Sequence, residues 1–238
     1  MKNQNIVIVA HKFFTQPDDD LVIFLNKEKR DNVLHIRHSF SDAPGRKSYY
    51  TWYKKGEIYK EYVSRNYQCL PEPLIYVKEF YFTWRWIWQS KIVWDKYIGM
   101  DGLCACWGNL LRCFGKAKKT IFWAMDFVPK DRFKQRIKNR IYHWINTKSY
   151  KKSDEMWDLT PRMAEGREDF LGIKLTDYKV YKVVPVGAWC DRIRKYSYEE
   201  CEKNTIVFIG HLLKKQGVQL IIQVIPLIIK KCQPLSSK

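Results

Sequence analysis

The sequence lacks the features of a membrane-spanning, secreted or disulfide-bonded protein. No uncharged apolar run reaches the about 18 residues that suggest a membrane-spanning helix. The apolar stretch in the opening MKNQNIVIVAHKFF is too short for a signal-peptide core. The seven cysteines include no CxxC pair, which argues against a disulfide framework and against a zinc site. We therefore expect a cytoplasmic protein without a bound metal.

Familiar catalytic motifs are also missing. The sequence contains no GxSxG, no phosphate-binding P-loop and no HExxH. The histidines are scattered, and His35 and His38 in HIRHSF fit a strand and turn better than a ligand set. Tyr142, His143 and Trp144 belong to a long basic segment, where we expect them to pack against the sheet. These absences argue against serine hydrolases, P-loop NTPases and zinc proteases.

Acidic residues are scarce relative to basic ones. Asp and Glu number 25 against 43 Lys and Arg, which gives a net charge of +18. Such a charge attracts nucleic acid, an anionic membrane or a phosphorylated small substrate. No helix-turn-helix, zinc finger or RNP-like motif is present. The composition therefore favours the membrane and the small substrate over nucleic acid.

Apolar strands alternate with helical patterns along the chain. NIVIVA predicts a strand and DDDLVIFLNKEKR a helix that begins with acidic residues. Five further strands are predicted at NVLHIRHSF, KKTIFWAMDFVP, EMWDLT, KVYKVVPVG and NTIVFIG, and a short one at DKYIGMDGL. Helices are predicted at Gly102–Cys113, at about residues 131–150 and from near Gln216, whereas Tyr49 to Tyr67 shows no clear period. This order predicts an α/β fold with a Rossmann-like parallel sheet covered on both faces.

The segment LIYVKEFYFTWRWIWQSKIVW is rich in tryptophan. It predicts a helix with a broad apolar face, for which packing in the core is the simpler interpretation. A second interpretation is an interfacial helix that uses Trp84, Trp86 and Trp88 to contact lipid. A stacking surface for single-stranded nucleic acid is a third.

Several segments together resemble one enzyme family. VVPVG followed by TIVFIGHLLKKQGVQLIIQVI is similar to the domain junction of family-4 glycosyltransferases, which have the two-domain GT-B fold. FWAMDFVPKDRF, SDEMWDLTPRM and VIVAHKFFTQPDDDL resemble the acceptor domain of a subset of these enzymes. The resemblance implies transfer of a sugar from a nucleotide-sugar to an acceptor hydroxyl, with retained anomeric configuration. The nucleotide-sugar is the substrate, and no cofactor is implied.

The resemblance also implies a division of the chain. Residues 1–187 would form the acceptor-binding Rossmann-like domain, 188–203 the interdomain linker, and 204–238 the first strand and helix of an incomplete donor domain. The family continues beyond this point with a Glu-containing donor motif. We therefore expect either a fragment of a glycosyltransferase or a chain whose donor half is supplied by a partner.

The site residues follow from the same resemblance. At the donor phosphates it places Gly210, His211, Lys214 and Lys215, and a glycine turn before a helix N-terminus suits a diphosphate. Around a saccharide or lipid-linked acceptor it places His11, Thr15, Gln16 and Arg132. Asp126 would orient the acceptor hydroxyl or assist its deprotonation, although it would equally suit a cap of the following turn. Gln16, Met125 and His211 depart from residues common in the family.

A different class of function is also open. The chain would then be a non-catalytic module that docks on polyanions or at the inner face of an anionic membrane. Its functional surface would be the tryptophan-rich segment together with the positive charge.

Overall fold

The computed structural model describes residues 4–12, 17–39, 44–129, 132–187, 189–203, 205–210, 212 and 216–232. The chain divides into two compact units, Met1–Ala188 and Trp189–Lys238. The first unit contains the whole of the sheet that the described residues form. The predicted α/β class is confirmed.

Eight strands form one sheet in the order β4-β3-β2-β1-β5-β6-β7-β8. The strands are β1 Asn5–Lys12, β2 Asn32–Ser39, β3 Ser48–Lys54, β4 Glu57–Val63, β5 Lys96–Gly99, β6 Thr120–Ala124, β7 Glu155–Asp158 and β8 Tyr181–Val183. The helices are α1 Pro17–Lys27, α2 Glu72–Gln89, α3 Gly102–Cys113, α4 Arg136–Lys152, α5 Pro161–Leu171 and, in the second unit, α6 Val218–Cys232.

The sheet is mixed rather than purely parallel, which corrects the sequence prediction. From β2 through β1 to β8 all neighbours are parallel, but β3 and β4 form an antiparallel hairpin at the edge. This hairpin occupies the stretch for which the sequence showed no period. Tyrosines and charged residues mix on both faces of it, and β4 is exposed throughout, so no apolar alternation marks the strands.

Two crossovers in opposite directions define the layers of the first unit. The chain passes from β1 through α1 to β2 on one side, and from β5 through α3 to β6 on the other. Right-handed crossovers in opposite directions place their helices on opposite faces. Accordingly, α1 packs beneath Ile6 and Ile8, whereas α2 and α3 pack over Val7 and Val9.

The close fit of α3 onto the sheet depends on a glycine. A Cβ at Gly99, the last residue of β5, would lie 2.5 Å from the backbone nitrogen of Ala105 in α3. The absence of a side chain therefore lets the helix begin directly above the strand end.

The tryptophan-rich helix α2 is mainly a core helix. Trp86 is 6% exposed and belongs to the cluster around Val7 and Val9. Trp84 is half-buried and stacks on Trp88, which is 43% exposed. The core interpretation is confirmed for Trp86, and the three tryptophans do not form one lipid-facing surface. In the described part of the chain, no helix is long and apolar enough to cross a membrane.

The second unit differs from its prediction. Residues 205–209, predicted as a strand, have no regular secondary structure. The predicted helix is present as α6, and most of its apolar side chains are exposed, including Leu220, Ile222 and Leu227. An isolated apolar segment forms no strand because a strand needs a neighbour for its backbone hydrogen bonds.

Candidate functional site

A group of charged side chains lies where β1 and β5 end side by side. The chain leaves β1 toward α1 on one face of the sheet and β5 toward α3 on the other. Such a switch in direction opens a crevice at the carboxyl ends of the strands, and ligands of open α/β sheets bind there. The residues at these two strand ends are His11 and Asp101.

His11 lies between two carboxylates. Its Nδ1 is 2.6 Å from Oδ2 of Asp101, and its Nε2 is 3.1 Å from Oε2 of Glu79 on α2. The side chains of His11 and Glu79 are 12% and 1% exposed, whereas that of Asp101 is 35% exposed. Of the trio His11, Glu79 and Asp101, Asp101 is thus the most exposed to solvent.

The geometry and the electrostatics together determine the protonation of His11 and Asp101. A carboxylate only accepts hydrogen bonds, so an imidazole facing two carboxylates must donate from both nitrogens. Burial by itself lowers the pKa of His11, but the neighbouring Asp101 carboxylate outweighs it and raises that pKa well above its ordinary value. Burial likewise raises the pKa of Asp101, but His11 more than offsets this and holds it below its usual range. At neutral pH the trio therefore contains an imidazolium and an ionised, partly exposed Asp101.

Asp101 has a second task as the N-cap of α3. Its Oδ1 accepts a hydrogen bond of 2.8 Å from the backbone nitrogen of Cys104. The Cys104 Sγ lies 3.8 Å from Nδ1 of His11, and burial raises the pKa of this thiol well above its ordinary value. A neutral, fully buried thiol is not a nucleophile, so Cys104 is a packing residue beside His11.

A second histidine, His38 on β2, lies beside His11 with the ring centroids 6.1 Å apart. His38 is buried, and its two ring nitrogens each lie 2.8 Å from a hydroxyl, those of Ser48 and Thr83. Burial lowers the pKa of His38 well below its ordinary value, and the charge of His11 adds to this effect. His38 is thus a neutral residue held by two hydroxyls, and its predicted place in a strand is confirmed.

A separate polar group stands at the end of β6. Asp126, two residues beyond the strand, accepts a hydrogen bond of 2.8 Å from Nη1 of Arg132. The same guanidinium lies 3.4 Å from the hydroxyl of Tyr142 on α4. Burial raises the pKa of Tyr142, and the charges of Asp126 and Asp101 raise it further. Tyr142 thus lies within electrostatic reach of both carboxylates.

The amino end of α2 contributes a third polar group near the same crevice. Glu72 accepts hydrogen bonds from Tyr76 at 3.0 Å and from Lys138 of α4 at 2.5 Å. Burial and the charge of Glu72 raise the pKa of Tyr76 to about 12, and His11 acts in the opposite direction. Tyr76 therefore remains a neutral phenol close to the trio.

The structure describes only part of the predicted site. His11, Asp126 and Arg132 lie at the carboxyl ends of β1 and β6, and Asp126 and Arg132 are paired. Thr15 and Gln16, like His211, Lys214 and Lys215, lie outside the described residues. Gly210 belongs to the second unit. The functional roles of all these residues stay predictions.

Two residues of the site were not anticipated. Asp101 follows a short strand and precedes an apolar helix, and this position is a recognisable N-cap signal. Glu79 is the lone acid within IYVKEFYF, where a buried carboxylate needs a cationic partner. Its partner His11 is distant in sequence, so only the fold brings the two together.

Two clusters have donor atoms suited to a metal ion. His11, Asp101 and Cys104 form one, and Asp18, Asp19 and His35 form the other, with donor atoms within 4.8 Å of one another. In the first, an ion would have to displace the proton that joins His11 to Asp101. The first cluster is held together by hydrogen bonds. In the second, Oδ2 of Asp18 is paired with His35 at 2.7 Å, whereas its buried Oδ1 has no hydrogen-bond partner among the described residues.

An open groove of about 860 Å³ lies elsewhere on the first unit. It is lined by the ends of the hairpin and of α2, including Trp52, Lys54 and Ser90. Asp31 and Asn32, where β2 begins, also line it, so it lies at the amino edge of that strand. Ligands of parallel sheets bind at the other edge, and we therefore place the functional site in the crevice.

Neither a protein-family model nor a curated protein matches this chain.

Proposed function

We propose that the first unit is the acceptor-binding domain of a GT-B glycosyltransferase, which transfers a sugar from a nucleotide-sugar to an acceptor hydroxyl. The observation that carries the proposal is the ionised Asp101 at the mouth of the crevice, backed by the His11 imidazolium. A carboxylate held in the charged form accepts hydrogen bonds strongly. Saccharide hydroxyls are donors that suit it.

The proposed chemistry is mainly positioning. Asp101 accepts a hydrogen bond from the acceptor hydroxyl and increases the electron density on its oxygen. His11 keeps Asp101 ionised and does not itself take a proton, because both of its nitrogens already donate. Asp126 supplies a second acceptor on the other side of the crevice, with Arg132 fixing its orientation. Holding the reacting groups in place supplies a large share of the rate in such a mechanism.

The donor side of the proposal rests on resemblance. Gly210, His211, Lys214 and Lys215 would bind the diphosphate, and α6 would follow them as the first helix of the donor domain. Basic groups and a helix N-terminus stabilise a departing diphosphate. In this proposal the reaction retains the anomeric configuration and takes place in the cytoplasm.

The alternative of a docking module built on Trp84, Trp86 and Trp88 has less support. Trp86 is buried and Trp84 is half-buried against Trp88. A surface that needs all three side chains exposed is therefore not available on α2.

A transfer assay tests the proposal. The chain is incubated with UDP-, GDP- and ADP-sugars and a panel of alkyl glycosides, and products are detected by mass spectrometry. Asp101→Asn should lower the rate about 100-fold, because it removes the charge that orients the hydroxyl. Asparagine also caps helices well, so α3 should persist.

The matched control is Asp169→Asn. Asp169 is an exposed aspartate near the end of α5, and its substitution should leave the rate unchanged. Transfer that survives both Asp101→Asn and Asp126→Asn, or a failure of the chain to bind any glycoside of the panel, would contradict the proposal.

A further inference from the structure

The helix α4 buries polar residues. Ser149 Oγ donates a hydrogen bond of 2.7 Å to the backbone oxygen of Gly102, where α3 begins. Asn139 hydrogen-bonds both the backbone nitrogen and the backbone oxygen of Phe133. Asn146 fills the space beside Gly102, where a Cβ would lie 2.2 Å from Oδ1 of Asn146. The inner face of α4 is therefore fixed largely by hydrogen bonds.

The outer face of α4 carries the large apolar residues. Ile137, Ile141 and Trp144 are 77%, 52% and 59% exposed. Their spacing of four and then three residues places them in one stripe along the helix. The prediction that Trp144 packs against the sheet is therefore wrong. At these three positions the apolar side chains face outward, whereas Tyr150 near the end of the helix packs in the core against Phe122.

Basic residues flank the stripe, and α4 contains no acid. The exposed bases of the helix are Arg136, Arg140, Lys148, Lys151 and Lys152. Among the described residues, no carboxylate forms an ion pair with Arg136, Arg140 or Lys148. This face therefore combines apolar side chains with uncompensated positive charge.

We propose that the outer face of α4 docks the protein on an anionic lipid bilayer. Three observations on this surface favour a bilayer. The exposed side chains are large and apolar, one of them is a tryptophan, and the charged residues of α4 are all basic. Tryptophan favours the membrane interface, and bases gain energy from anionic headgroups. A nucleic acid would need aromatic stacking along the stripe, which Ile137 and Ile141 do not offer.

Docking through α4 has a consequence for the crevice. Tyr142, next to Ile141 on the same helix, contacts Arg132 and thereby the Asp126 pair. A docked α4 would hold this side of the crevice near the lipid headgroups, where a lipid-linked acceptor is presented. This consequence rests on the proposed function, whereas the docking itself does not.

Vesicle co-sedimentation of the full chain tests the proposal. Vesicles of phosphatidylcholine alone are compared with vesicles that also contain phosphatidylglycerol, and binding is expected only to the anionic vesicles. Ile141→Ser combined with Trp144→Ser should weaken the partition coefficient about 100-fold, because both apolar side chains leave the interface. Both residues are exposed, so the melting temperature should not change.

A charge variant isolates the electrostatic contribution. Arg136→Gln, Arg140→Gln and Lys148→Gln together should weaken binding to anionic vesicles about 100-fold, at about fivefold for each base. The control variant removes three exposed lysines outside α4. It combines Lys29→Gln, Lys55→Gln and Lys60→Gln and should weaken binding far less.

The second unit requires its own control because α6 also exposes apolar residues. Ile222→Ser with Leu227→Ser should leave most of the binding intact. The proposal is overturned if these α6 changes abolish binding while the α4 changes do not. It is also overturned if neutral vesicles bind equally well, or if the α4 variants lose self-association instead of lipid binding.

Discussion

Replacing His11 by leucine removes the cation between Asp101 and Glu79. Glu79, 1% exposed, then stays in the core without its imidazolium. Breaking a buried charge pair by removing one partner costs about 3–5 kcal/mol. Lys78 Nζ lies 3.8 Å from the other Glu79 oxygen and remains as a weaker partner. Asp101 is 35% exposed, so water can solvate its charge once His11 is gone. We therefore expect the variant to lose about 3 kcal/mol of unfolding free energy.

The loss should depend on pH in a defined direction. The folded pKa of His11 is raised above its unfolded value of about 6.5. The imidazolium therefore contributes its full stabilisation below about pH 6.5, and this stabilisation disappears as the pH rises through the folded pKa. Urea denaturation at a series of pH values should show the gap between wild type and His11→Leu narrowing on the alkaline side.

A double-mutant cycle with Glu79→Leu isolates the pair. Leucine at both positions removes the buried charges together. The loss of unfolding free energy in the double variant should therefore be smaller than the sum of the two single losses by about 2 kcal/mol. A coupling energy near zero would refute the reasoning. So would nitrogen NMR shifts that show a neutral His11 ring at pH 7.

Three further results are expected. Arg167→Met should cost about 3–5 kcal/mol in urea denaturation, since it leaves the fully buried Asp158 carboxylate without its cation; a loss below about 1 kcal/mol would contradict this. Gly99→Ala should lower the melting temperature through overpacking of about 1–3 kcal/mol, because α3 lies against the strand. Gly187→Ala is the control, because a Cβ there meets no atom within 4 Å and the backbone is not left-handed. Burial raises the pKa of Glu155, but two lysine ammonium groups outweigh it and lower the pKa to about 2. The ionised Glu155 therefore stabilises the fold above about pH 4.5, and this contribution is lost as the pH falls toward 2. Glu155→Gln lacks this contribution, so the difference in unfolding free energy between wild type and the variant should disappear over the same pH range.

Much of the first unit could be predicted from local sequence. β1 is a β-branched apolar run, and α3 spans Gly102–Cys113 as predicted. The hairpin was missed because β4 is exposed throughout, so its residues carry no burial pattern. The strand predicted at residues 205–209 failed for the opposite reason: the apolar pattern is there, but the described structure pairs it with no neighbouring strand.

The site was predictable only in part. His11 and Asp126 follow strands, and strand ends are where parallel sheets place their ligands. Glu79 lies 68 residues from His11 in sequence, and no local pattern joins a helix interior to a strand end. The exposed apolar stripe of α4 was also missed, because an apolar stripe in a sequence does not reveal which side of the helix is buried.

The central claim is that the crevice beside His11 and Asp101 binds a saccharide acceptor. The most direct test labels the five histidines with nitrogen-15 and follows their signals during titration with alkyl glycosides. We predict that the His11 signals move and that Asp101→Asn weakens the response, while the enclosed His35, paired with Asp18, stays constant. Glycoside binding that leaves His11 unmoved, or no binding by any glycoside in the panel, would contradict the account.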